Sequence, residues 1–139
     1  MMVRGVRGAT TVAENRADAI VDAAAELLAQ MIEVNGIIED EVASVIFTST
    51  PDLDAGFPAP AGRKVGWSRV ALLGMQELAV PGGIERTVRI LIHWNTDKGL
   101  DDIVHVYLHG AQGLRPDLAQ RRQILQGESV GRDREGDRS

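Results

Sequence analysis

Two arginines stand out from their neighbours. Arg7 lies in Met2-Val3-Arg4-Gly5-Val6-Arg7-Gly8-Ala9 and Arg89 in Thr87-Val88-Arg89-Ile90-Leu91-Ile92, segments built mostly of apolar residues and glycine. Guanidinium groups stay charged at any working pH, and arginines gathered locally can hold a small anion. Taken singly, each reads first as a solvent-facing position on a half-exposed sheet. Likewise, Glu77 alone reads as a surface charge, and Tyr107 as a core ring whose hydroxyl reaches water. His93, His105 and His109 invite a metal reading, but positions four apart on a strand lie about 13 Å apart, too far to share one ion. No metal site is expected. The sequence contains no P-loop, GxGxxG, HExxH or GxSxG pattern, so neither a phosphate cradle nor a hydrolytic triad is indicated. The absence of cysteine excludes disulfides, thiolate catalysis and Cys-based zinc sites.

The 139 residues suffice for one domain and are too few for two ordinary ones. Apolar residues make up 44% and charged residues 25%, an ordinary globular mixture. With two Trp, one Tyr and two Phe, the core must come from Ala, Val, Leu and Ile. A formal net charge of -5 argues against general nucleic-acid binding, which rests on clustered Lys and Arg. No apolar run approaches the roughly 20 residues that span a bilayer. Arg4, Gly5, Arg7 and Gly8 interrupt any secretory leader. These features lead us to expect a cytoplasmic protein with no membrane partner.

The elements that must carry these residues follow from periodicity. Met2 to Thr11 reads as a strand with Arg7 and Val6 on opposite faces. A helix follows, with Asn15 as N-cap and Asp18 in its first turn. Its apolar stripe runs through Ile20, Ala24, Leu27, Met31 and Val34, and Asn35-Gly36 stops it. Val42 to Ser49 is a second strand. Pro58 starts a weak short helix within Phe57 to Val65. Arg69 to Leu73 is a short strand, followed by Glu77 and the Pro81-Gly82-Gly83 turn. In Thr87 to Asn95, Val88, Ile90, Ile92 and Trp94 face one way, and Arg89, Leu91 and His93 the other. Ile103 to Leu108 is the last strand, with His105 and Tyr107 on one face. The spacing therefore predicts about five strands and one long helix. One helix covers one sheet face; the other needs a cover, for which a second subunit is the natural choice.

The flanks of these positions form an ordered series: Arg4-Gly5-Val6-Arg7-Gly8-Ala9-Thr10-Thr11-Val12, Thr50-Pro51-Asp52-Leu53, Phe57-Pro58-Ala59, Met75-Gln76-Glu77, Arg89, His105-Val106-Tyr107-Leu108 and Leu114-Arg115-Pro116-Asp117-Leu118. Each motif is weak alone. Together, from about Val3 to Leu118, the series resembles the monofunctional chorismate mutases of the small trimeric α/β type (AroH-like). The resemblance implies an α+β fold: a mixed sheet with helices on one side, three subunits packed as a pseudo-α/β barrel, and sites in clefts between neighbours. It implies the isomerisation of dianionic chorismate to prephenate in aromatic amino acid biosynthesis, with no cofactor. The chain would comprise a catalytic domain over residues 1–118 and a polar, flexible tail over 119–139.

That resemblance also assigns roles. Arg89 would place its cation at the substrate's ether oxygen and touch a carboxylate, while Arg7 would fork onto a carboxylate. Glu77 would accept from the ring hydroxyl, and Tyr107 would donate to a carboxylate. Phe57, Ala59, Leu72, Leu73 and Leu114 would shape apolar walls beside Gly74. Arg63 and Arg115 would be mobile cations near the entrance, and the Phe57 to Arg63 segment would face the site of another subunit. Differences from the family pattern are Pro60 where a Lys is common, one residue fewer between Arg63 and Trp67, and Gly74 where some relatives carry Cys. Two other readings remain at this level. One is an enamine or imine deaminase of similar trimeric shape; the other is a metabolite-binding module without turnover.

Beyond about Gln120 the chain is polar and highly charged, as unstructured tails are. Truncation after Gln120 should therefore leave the folded trimer intact. Sedimentation equilibrium checks this, and unfolding on truncation would show the tail to be structural.

Overall fold

The structure, a computed structural model, describes residues 1–114. Arg115 and the expected tail over 119–139 lie outside the described residues. Within them run β1 (Met2–Thr11), α1 (Ala17–Asn35), β2 (Val42–Ser49), α2 (Ala61–Lys64), β3 (Ala71–Gln76), β4 (Thr87–Thr96) and β5 (Val106–Tyr107). The strands form one sheet in the order β3-β2-β4-β1-β5. β4 is antiparallel to both neighbours, whereas β3 on β2 and β5 on β1 are parallel. β1 and β2 flank β4 in the same direction, so the link between them must cross the sheet, and α1 is that crossover. The α+β class is as expected.

Alternation decides what each face holds. Val6, Val45, Phe47, Val88, Ile90 and Ile92 point to one side and are buried there with Ile20, Ala24, Leu27, Leu28 and Met31 of α1. Each large side chain buried this fully contributes about 1.5 to 3 kcal/mol relative to exposure. Gly8 lets α1 approach closely: a Cβ there would lie 2.5 Å from Met31 Sδ. The helix stops as its sequence predicts. Gly36 has φ 73° and donates to Ile32 O at 2.8 Å, a left-handed cap that favours glycine.

The structure corrects several boundaries, each for a local reason. Asn15 is not the N-cap; that position is Arg16, with no side-chain cap. The Asn15 amide instead donates to Asp54 Oδ1 (2.8 Å) and accepts from Ala55 N (3.1 Å), tying the helix start to the loop after β2. The short helix is confined to Ala61–Lys64, with Pro60 at its N-cap. β3 runs over Ala71–Gln76 rather than Arg69 to Leu73. The N–H groups of Arg69 and Val70 are already taken by Glu39 Oε2, at 2.6 and 2.9 Å. These bonds, that to Arg69 foremost, hold the Glu39 carboxyl below its usual pKa.

The last strand is likewise shorter than Ile103 to Leu108, because side chains take over its backbone groups. Buried Asn35 accepts from Val104 N (2.8 Å) and donates to Val104 O (2.9 Å) and Met31 O (3.0 Å). His105 Nδ1 accepts from Arg7 N at 3.0 Å, so Nε2 carries the proton when this ring is neutral.

The start of β4 is latched by the loop after β2. Thr50 N donates to Thr87 O (3.0 Å) and Thr87 N to Thr50 Oγ1 (2.9 Å). Asp52 accepts from Arg86 N at 2.9 Å and from the Thr50 hydroxyl. Arg86 itself has φ 46°, the left-handed region. Among the described residues, no helix is long and apolar enough to cross a membrane.

Two stability tests follow. Asn35→Ala would leave Val104 N–H and C=O without partners, a loss of about 3 kcal/mol, read as a lower urea midpoint at unchanged slope. The Thr50 hydroxyl first, then the Arg86 N–H and charge, hold the Asp52 carboxyl below its ordinary 3.8. A depressed carboxylate stabilises the fold above that pH and stops doing so as pH falls through its folded value. Wild type should therefore be more stable than Asp52→Asn at neutral pH. The gap should close below about pH 3.8 in acid-dependent denaturation curves.

Candidate active site

The sheet face opposite α1 carries the site, and strand register assembles it. Directly opposed residues share a face. One row across the sheet is therefore Tyr107 (β5), Ala9 (β1), Arg89 (β4), Thr48 (β2) and Met75 (β3). The next row is Arg7, Leu91, Ile46 and Leu73. Glu77 follows β3, its N–H donating to Ser49 O at 2.9 Å, and its side chain turns back over β2. Arg7, Glu77, Arg89 and Tyr107 thus line one pocket of about 210 Å³ with Gly8, Ala9, Ile46, Thr48, Ile90 and Leu91. Ala9, between Arg89 and Tyr107 in the register, is the small residue that leaves room there.

The polar groups of this pocket are incompletely satisfied. Arg89 Nε lies 3.2 Å from Glu77 Oε2, near enough for charge attraction but misaligned for a hydrogen bond. Glu77 Oε2 also accepts from the Thr48 hydroxyl. Among the described residues, two buried side-chain polar atoms lack a hydrogen-bond partner, Arg89 Nε and Tyr107 Oη. Both belong to this pocket, and a buried polar atom without a partner is costly unless a ligand or water supplies one. Tyr107 is fixed by its ring, which packs with Ala9, Ala111 and Leu114. The 3₁₀ turn His109–Gly113 carries Ala111, and Leu108 N donates to Ala9 O at 2.9 Å. Two guanidinium groups, one carboxylate and one phenol on an apolar floor suit a small anion that also carries a hydroxyl.

The other expected residues fall outside this pocket. Leu114 stands behind Tyr107. Leu72 is opposite Val45, so it faces the helix side and packs on Gly62 of α2, where a Cβ would lie 2.8 Å from Leu72 Cδ1. Half-buried there, it packs against the core cluster and does not line this pocket of the single chain. Leu73 lies on the pocket face but is 54% exposed and is not among the lining. Gly74 borders open space. Phe57 is 79% exposed, and Ala59 and Arg63 lie with it away from the pocket. Arg115 lies outside the described residues. Sequence reasoning missed Thr48 and Ile46; alternation within β2 put them on one face, but nothing in the sequence placed that face opposite Arg89. The histidines make separate contacts: His93 Nδ1 with Ser44 Oγ at 2.9 Å, His105 with Arg7 N, and His109 Nε2 with Glu26 Oε1 at 3.1 Å.

Comparison with known proteins bears on the same region. The profile of the family "Chorismate mutase type I" matches residues 3–118. The chain is similar to chorismate mutase AroH of Thermus thermophilus, with 52% identity over 118 residues, 84% of this chain and 97% of that protein. It is 42% identical to chorismate mutase AroH of Bacillus subtilis (strain 168) over 120 residues, 86% of this chain and 94% of that one. A solved chorismate mutase from Clostridium thermocellum superposes with a TM-score of 0.78 at 52% identity, covering 80% of this chain and 99% of its own. Sequence, fold and profile agree over the segments that build the pocket, and the chain belongs to the chorismate mutase type I family.

Proposed function

We propose that this chain converts chorismate to prephenate, serving phenylalanine and tyrosine biosynthesis in the cytoplasm. The observation that carries this is the convergence of Arg7, Arg89, Glu77 and the unpartnered Tyr107 hydroxyl in one pocket. The reaction is an intramolecular Claisen rearrangement. A carbon–oxygen ether bond breaks while a carbon–carbon bond forms, no proton moves, and no covalent bond to the protein is made. Such chemistry asks the protein for two things: holding the flexible dianion with its reacting ends close together, and fixed positive charge where the ether oxygen becomes negative. Arg89 supplies that charge and touches a carboxylate. Arg7 and Tyr107 hold carboxylate oxygens. Glu77 accepts from the ring hydroxyl. A million-fold acceleration requires roughly 8 kcal/mol, within reach of restraint and preorganised charge together.

The active form in this reading is a homotrimer. The pocket face of the sheet is not covered by α1, and Phe57, Leu73, Met75, Leu78 and Val80 are large apolar side chains left exposed. Exposed apolar groups of this density mark an interaction surface. The pocket is also smaller than the roughly 300 to 1,000 Å³ typical of ligand sites, as expected of a cleft lacking a wall. Phe57, Ala59, Arg63, Leu73 and Gly74 would complete the pocket of a neighbouring subunit. Leu114 would add to its apolar wall.

The test is the ultraviolet loss of chorismate on adding purified protein, with a chelator present. Turnover should be indifferent to the chelator. Arg89→Ala should lose about a thousandfold, the scale of one electrostatic donor, with folding retained. Arg89→Lys should also fare badly, since a point charge does not reproduce the fork. A mild effect of Arg89→Ala would overturn the mechanism. No loss of chorismate from a well-folded wild type would favour a binding module without turnover.

A further inference from the structure

Thr48 is absent from the roles assigned so far, yet it is the residue that meets both charged partners. It opposes Arg89 directly in the β2–β4 register, lines the pocket, and donates its hydroxyl to Glu77 Oε2. That same oxygen lies 3.2 Å from Arg89 Nε. A carboxylate beside a guanidinium has a competing arrangement, in which both oxygens fork onto the cation through two parallel bonds. Glu77 is well placed to reach it, since it follows the end of β3 and its backbone is anchored to β2 through the bond to Ser49 O. The fork would neutralise Arg89 and take both Glu77 oxygens from the ligand. In the structure Glu77 Oε2 accepts from the Thr48 hydroxyl, and Arg89 Nε has no hydrogen bond to a described residue. Glu77 Oε1 is left with no bond to a described residue.

We propose that Thr48 is a positioning residue: its hydroxyl restrains the Glu77 carboxylate so that Arg89 keeps its charge for the reacting substrate and Glu77 keeps an oxygen for the substrate hydroxyl. This rests on the function proposed above and adds a determinant to it. Thr48 acts through Glu77 and does not itself touch the reacting atoms.

The experiment compares Thr48→Val, which keeps the shape and loses the hydroxyl, with Thr48→Ser, which keeps the hydroxyl. Both are made in the wild type and in a Glu77→Ala background, with thermal midpoints as the control for folding. Loss of one hydrogen bond to a charged group predicts a fall of about tenfold to a hundredfold for Thr48→Val, mainly in kcat, with Thr48→Ser restoring most of it. In the Glu77→Ala background, Thr48→Val should add no more than about a twofold further loss, because its target is gone. A crystal structure of Thr48→Val should show Glu77 forked on Arg89. Unchanged turnover in Thr48→Val, losses that multiply in the double variant, or an unmoved Glu77 would each overturn the proposal. Failure of the wild type to consume chorismate would overturn the function itself, and the crystal structure would still judge the placement of Glu77.

Discussion

β4 is hydrogen-bonded along both edges, to β1 on one side and β2 on the other, and its side chains alternate between two environments that cannot be exchanged. Val88, Ile90, Ile92 and Trp94 enter the core beneath α1, while Arg89, Leu91 and His93 stand on the opposite face. A slip of one residue would turn every side chain over. It would drive the Arg89 guanidinium into the apolar layer without a partner, a cost of several kcal/mol. The same alternation that packs the core therefore fixes Arg89 on the pocket side. With β4 pinned, the registers of β1 and β2 follow, and with them the positions of Arg7, Ala9 and Thr48.

The pocket concentrates charge on an apolar floor. Ala9, Ile46 and Leu91 line its floor with apolar side chains, so a fixed cation there acts more strongly than in bulk water. The chain's net charge of -5 does not oppose this, because screening over about 10 Å makes the local arrangement of arginines decisive. With its side chain 42% exposed in the single chain, Arg89 is still partly solvated. Covering that face by a second subunit, as proposed, would exclude water and raise the value of both cations.

Side chains repeatedly take the place of backbone ladders at the ends of the strands. Asn35 occupies the backbone of Val104, His105 takes the Arg7 N–H, and Glu39 takes those of Arg69 and Val70. Each replacement gives a backbone polar group a side-chain partner where strand pairing ends. The result is a two-residue β5 at the sheet edge, paired with β1, which carries Tyr107 to the pocket without a long strand.

Much of the fold was legible in the sequence by itself. The helical stripe of α1, its glycine stop, the bounds of β2 and the two faces of β4 all follow from period and turn residues, which act between near neighbours in the chain. The four central residues were recognised from an ordered series of motifs; no spacing could show that Arg7, Glu77, Arg89 and Tyr107 meet. Tertiary structure alone decided that meeting, the packing of Leu72 on Gly62, the true ends of β3 and β5, and the contact of Thr48 with Glu77. The physical reason is that strand register and side-chain capture of distant backbone groups depend on segments tens of residues apart, and their geometry is set when the sheet pairs and α1 packs upon it.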